Sequence, residues 1–125
     1  MRDSVISAKS LTKKYGDFCA VNGIDLEVPH GVCFGLLGPN GAGKTTMIQT
    51  IQASSPISEG RLSVLGKDTV QDSREIRKKI GVIPQEDNLD PDFTVKYNLL
   101  VYARYYGLSN DEANKRAADL LDKVK

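Results

Sequence analysis

The residues Gly38-Pro39-Asn40-Gly41-Ala42-Gly43-Lys44-Thr45 match the pattern G-x-x-x-x-G-K-[ST] in full, with Thr46 following. Glycines permit positive φ and close backbone approach, so successive N–H groups of the segment, Pro39 excepted, can converge on phosphate oxygens. A helix starting near Gly43 adds the positive end of its dipole. Lys44 is a mobile point charge able to reach β- and γ-phosphates, and the Thr45 hydroxyl can ligate magnesium. The chemistry implied is capture of a nucleoside triphosphate, read here as ATP with Mg2+. The pattern alone is shared by GTPases, small-molecule kinases and transport ATPases, so other residues must decide among them.

A phosphate loop needs a strand to deliver it and a helix to receive it. The run Val32-Cys33-Phe34-Gly35-Leu36-Leu37 is apolar throughout, the pattern of a strand covered on both faces. Met47, Ile48 and Ile51 then give helical spacing. Upstream, Ile24, Leu26 and Val28 alternate with Asp25 and Glu27, predicting a half-buried strand before the turn Pro29-His30-Gly31. Downstream, residues 61–65 read as a short strand, 73–79 as a short helix and 80–83 as a second buried strand stopped by Pro84. Thr94 caps a predicted helix that runs to Tyr106 and ends at Gly107. Ser109 and Glu112 form a capping box for a further helix, with Ala113, Ala117, Leu120, Leu121 and Val124 on its apolar face. Tyr97, Tyr102, Tyr105 and Tyr106 have a helical spacing that favours core and subunit contact over ring stacking on a ligand.

The bulk numbers narrow the classes. Hydrophobic residues are 40% and charged residues 26% of 125, ordinary usage for one modest globular domain. Seventeen basic and sixteen acidic residues leave a formal charge of +1, which gives no electrostatic argument for a nucleic-acid partner, and the short basic clusters Lys13-Lys14 and Arg77-Lys78-Lys79 read as solvated surface. No apolar run approaches the ~20 residues of a membrane helix. Cys19 and Cys33 lack metal-ligand spacing and read as reduced, packed thiols, and the lone His30 reads as turn surface.

Taken together, the motifs resemble the ATP-binding subunit of an ABC transporter across essentially the whole chain. Leu36-Leu37-Gly38-Pro39-Asn40-Gly41-Ala42-Gly43-Lys44-Thr45-Thr46 is that family's usual wording. Leu11-Thr12-Lys13-Lys14-Tyr15-Gly16 is similar to the segment whose aromatic residue stacks on adenine, which the resemblance makes Tyr15. Ala20 to Leu26 resembles the antiparallel strand that follows. Ile80-Gly81-Val82-Ile83-Pro84-Gln85 resembles the Q-loop, which implies that Gln85 contacts the magnesium site and faces the membrane subunit. Lys44 and Gln85 are thus the candidate catalytic residues, and Thr45 and Gln85 the candidate metal contacts. Residues 89–95 resemble the opening of the helical subdomain, and the wording of 88–91 and 100–108 is similar to exporters of drugs and polysaccharide-like compounds.

The fold implied is α/β: a P-loop NTPase core with an antiparallel β subdomain over 1–91, then the start of an α-helical subdomain over 92–125, incomplete. The L-S-G-G-Q signature, the Walker B strand with its aspartate and glutamate, and the switch histidine are not found. The expectation is therefore the front part of a longer subunit, silent as an ATPase by itself. The partners implied are ATP, a transmembrane transporter subunit on the inner face of the cell membrane, and a second ATP-binding domain. The rival reading is an ABC-type ATPase in a soluble role such as translation or repair.

Overall fold

The computed structural model describes residues 3–39, 43–84 and 89–124. It divides into two compact units, Met1–Val82 and Ile83–Lys125.

The first unit is built on a four-stranded antiparallel sheet, in the order β2-β1-β3-β4. Strands β1 (Ser4–Tyr15) and β2 (Phe18–Pro29) form a long hairpin closed at the pair Tyr15 and Phe18. Strand β3 (Glu59–Val64) pairs with the other edge of β1, and the short β4 (Lys67–Asp68) folds back on β3. Leu65 and Gly66 make the β3–β4 turn with φ of 55° and 75°, the two positive angles that a type I′ hairpin requires. Strand β1 carries an irregularity between Ala8 and Leu11, where Ser10 has φ 49° and its N–H donates to Asp25 Oδ1 at 2.7 Å. An extra residue of this kind disrupts the two-residue alternation. Leu11, Thr12 and Lys13 are consequently buried in succession.

Helix α1 (Lys44–Ile51) lies on this sheet. Met47 joins Ala8, Leu11, Val21 and Leu62 in the main core, while Ala53, Val64 and Ile76 form a second cluster flanked by Ile51 and Ile80. Ile76 belongs to helix α2 (Ser73–Lys79), which matches its sequence expectation residue for residue.

Two expected strands are corrected. Residues 32–37 and 80–83 are neither strand nor helix, and among the described residues no strand pairs with them. Leu37 is 94% and Ile83 97% exposed, and Cys33 is exposed rather than packed. An apolar run marks what a segment could bury, but a strand exists only through a ladder with a neighbour. Only Leu36 of the first run packs against the core.

The second unit contains helices α3 (Val95–Tyr105) and α4 (Asn110–Lys123). Thr94 Oγ1 accepts from Tyr97 N–H at 3.1 Å and Ser109 Oγ from Glu112 N–H at 3.2 Å, so both N-cap hydroxyls engage. The expected capping box is only half closed, because the Glu112 carboxylate accepts from Arg116 Nε at 2.7 Å instead. Asn98 is buried: its amide donates to the Asp90 and Thr94 carbonyls, and its Oδ1 accepts from Asp90 N–H at 3.0 Å. Ala113 and Ala117 are the buried face of α4, whereas Leu120 and Val124 stay exposed.

Candidate functional site

The glycine-rich segment runs from the irregular stretch 32–39 into α1. Gly38 and Pro39 are exposed, whereas Asn40, Gly41 and Ala42 lie outside the described residues. Gly43 is the N-cap, in the left-handed region at φ 88° and ψ 8°. A Cβ built on it would collide with the Ala20 carbonyl oxygen of β2 and come within 3.7 Å of Val21 Cγ2. Glycine is required here twice over, by the backbone angle and by the close approach. The loop end is thereby seated on the β1–β2 hairpin.

Beyond Gly43, burial fixes the helix axis. Met47 N–H donates to Gly43 O at 2.9 Å, and the buried Thr50 Oγ1 donates to Met47 O at 2.7 Å. The N-terminus of α1 has no side-chain cap and no acidic residue in its first turn. Helix N-termini carry orphan N–H groups and roughly half a positive charge, so an uncapped one suits an anion. Lys44 Nζ donates to the Gly38 carbonyl, turning the cation back toward the residue that opens the motif. Thr45 is exposed and Thr46 half-buried in the same turn.

Tyr15 ends β1 and is 48% exposed. Its cross-strand partner Phe18 lies two residues before Ala20, which touches the loop, so the backbone position paired with Tyr15 and the loop anchor are about 7 Å apart along β2 at strand rise. The structure thus brings Tyr15, Gly43 and Lys44 to one end of the hairpin, and Gln85 lies outside the described residues. Among the described residues no cluster of histidine, cysteine or carboxylate could hold a metal by itself. The single Thr45 hydroxyl fits magnesium bound mainly through phosphate oxygens and water.

The shifted carboxylates are all surface groups with local causes. Hydroxyl donors from Ser4 and Ser7 hold Glu27 below the ordinary value, the Lys67 ammonium does so for Glu75, and the Arg116 guanidinium for Glu112. Their salt bridges and hydrogen bonds lie outside the loop. In the second unit a groove of about 210 Å³ between α3 and α4 is lined by Tyr97, Leu100, Val101, Arg104, Asn110 and Asn114 among others.

The reading of the Lys13-Lys14 pair as solvated surface is corrected for Lys13, which is buried, while Lys14 is exposed. Sequence reasoning does not single out Ala20 or Asn98. The run of positions along β1 is broken by its irregularity, so no periodicity marks Lys13 as buried. Ala20 acts through its carbonyl, which leaves no trace in residue type. Asn98 has a recognisable signal, a polar residue on the inward face of a capped helix.

The family model described as ABC transporter matches residues 21–125. The chain is 45% identical over 120 residues to a Nod factor export ATP-binding protein I from Burkholderia orbicola (strain AU 1054), covering 96% of this chain and 40% of that protein. It superposes with a TM-score of 0.80 and 27% identity on cbiO1 from Clostridium perfringens, part of the ABC transporter complex cbiONQ, covering 96% of this chain and 50% of the other. A dimeric ATP-binding cassette, MJ0796, in a post-hydrolysis state bound to ADP and Pi, superposes with a TM-score of 0.77 and 29% identity over 94% of this chain and 56% of the other. The chain thus spans about half or less of the length of several proteins it matches.

Proposed function

The chain belongs to the ABC transporter family, and from that premise we propose that it carries the phosphate- and base-binding elements of an exporter's ATP-binding subunit. The observation that carries the reading is the uncapped N-terminus of α1, set behind a position that only glycine can occupy, with the Lys44 ammonium bonded back to the Gly38 carbonyl. On binding, Lys44 exchanges the neutral Gly38 carbonyl for β- and γ-phosphate oxygens, a stronger charge-assisted acceptor. Backbone N–H groups of residues 40–46 supply further donors, and Tyr15 stacks on adenine. Each hydrogen bond to a charged group contributes about 1.5–3 kcal/mol, so the phosphates dominate affinity. Neutralisation of the phosphate charge is what magnesium would supply when bound. Thr45 offers it a hydroxyl, and Gln85 takes the role the family resemblance gives it.

We assign 1–91 to the ATPase core with its β subdomain and 92–125 to the helical subdomain. No helix among the described residues is long and apolar enough to cross a membrane. Membrane attachment is accordingly proposed to run through a transmembrane subunit on the cytoplasmic face, contacted by the segment 85–106. Val95, Tyr97, Tyr105 and Tyr106 are exposed there, which supports that assignment. A second ATP-binding domain is the proposed dimer partner, as in the dimeric cassette. The Burkholderia relative's name supports export as the direction of transport.

The test is Lys44→Ala in the full-length protein, with ATP affinity by calorimetry and fold by circular dichroism. Loss of detectable binding on an unchanged spectrum is expected. Unchanged affinity refutes the site.

A further inference from the structure

We propose that Lys13 is a positioning residue that holds the Tyr15 ring against one face, leaving the opposite face open to the base. The inference rests on the reading of Tyr15 as the adenine platform. Lys13 is only 8% exposed, and lysine is almost never fully buried without a partner for its charge. Among the described residues that partner is not a carboxylate. Its Nζ donates to the Pro56 carbonyl at 2.5 Å and lies over the Tyr15 ring, 5.1 Å from the centroid. The neighbouring Lys14 behaves differently: it is exposed and pairs with Glu59 at 3.2 Å.

An ammonium within about 6 Å of a ring centroid is attracted by the ring's quadrupole, more so where water is excluded. Tyr15 sits at an exposed hairpin end with two free side-chain torsions, so a one-sided restraint is what a stacking platform needs. The restraint also has an anchor. Pro56 belongs to the segment between α1 and β3, which is clasped to β1 by Ser58 N–H on the Thr12 carbonyl at 2.8 Å and by Lys14 N–H on Ser58 Oγ at 2.9 Å. Through Lys13 the ring is therefore tied to the chain leaving the same helix whose N-terminus faces the phosphates.

The experiment titrates full-length protein with ATP and with inorganic tripolyphosphate, which has phosphates but no base, in the presence of magnesium. Lys13→Met keeps the buried stem and removes the charge, a replacement that buried ions often tolerate without unfolding. It is expected to weaken ATP binding by about three- to tenfold and to leave tripolyphosphate unchanged. Lys13→Arg, which keeps a cation over the ring, restores ATP affinity. In a Tyr15→Ala background Lys13→Met has no further effect. Equal losses for ATP and tripolyphosphate, or independent effects of the two substitutions, overturn the proposal. Should Tyr15→Ala itself leave ATP binding intact, the platform reading fails first and takes the positioning role with it.

Discussion

Replacing Gly43 by alanine separates the cost of a backbone angle from the cost of a close approach. A left-handed angle costs a Cβ-bearing residue about 1–2 kcal/mol. The fold tolerates that cost elsewhere, since Ser10, Ala53 and Leu65 have φ of 49°, 58° and 55°. At Gly43 the new methyl also meets the Ala20 carbonyl, a backbone atom held within β2, which must retreat by about 1 Å to reach an ordinary contact. Overpacking of this kind costs about 1–3 kcal/mol. The expected loss for Gly43→Ala is therefore about 2–5 kcal/mol by adding these two ranges. Gly66→Ala is the control: its φ is 75° and nothing lies within 4 Å of the added methyl, so it bears only the angular cost. Urea unfolding of both variants, compared at equal m-value, reads the difference. Because the clash forces the Ala20 carbonyl and Gly43, the N-cap of α1, apart, ATP affinity should fall by more than about tenfold in Gly43→Ala, roughly 1.4 kcal/mol, and stay unchanged in Gly66→Ala. Stabilities within about 0.5 kcal/mol of each other, with ATP affinity intact in both, would refute the reasoning.

If phosphates dominate affinity, GTP competes with ATP within about tenfold, and Tyr15→Ala weakens both; a hundredfold preference for ATP that survives the substitution would show another base reader. Glu27, Glu75 and Glu112 are held below their ordinary value of 4.5, so each contributes stability above that pH and loses it as pH falls through the lower folded value. The urea midpoint should drop on acidification below that point, and a midpoint that stays level well into acid would contradict the sign. Lys67, raised above 10.5 by Glu75, contributes below that pH, and its share is lost as pH rises through the folded value. Leu65→Asn relieves a left-handed leucine in the β3–β4 turn and should stabilise the fold by about 0.5–1 kcal/mol in the same urea assay; destabilisation would mean that the leucine side chain matters more than its backbone.

The phosphate loop was legible because its chemistry demands fixed residue types, and helices α2, α3 and α4 because caps and period are local properties. Thr94 and Ser109 announce their helices, and the structure finds both hydroxyls accepting where expected. Strands were harder for a physical reason. The run 32–37 has the composition of a buried strand, yet its hydrogen bonds must come from a neighbour, and Leu37 stands almost wholly exposed. Strand β1 was obscured in the opposite way: lysines, serines and threonines outweigh its apolar residues, and the irregularity at Ser10 buries three residues in succession. The Lys13–Tyr15 contact and the Gly43–Ala20 approach are products of register and backbone position, which composition does not encode.

Asn98 gives the second unit a mechanical property. Three hydrogen bonds join its one amide to Asp90 and Thr94, and Asp90 in turn holds the Asp92 and Phe93 N–H groups through its side chain and its carbonyl. Phe93 meets Tyr97 edge-on at 4.6 Å. The bend before α3 is thus welded to the rod it precedes. A force applied at Asp92 would therefore reach the first turn of α3 through these bonds, whereas an unbonded linker there would slacken and absorb it.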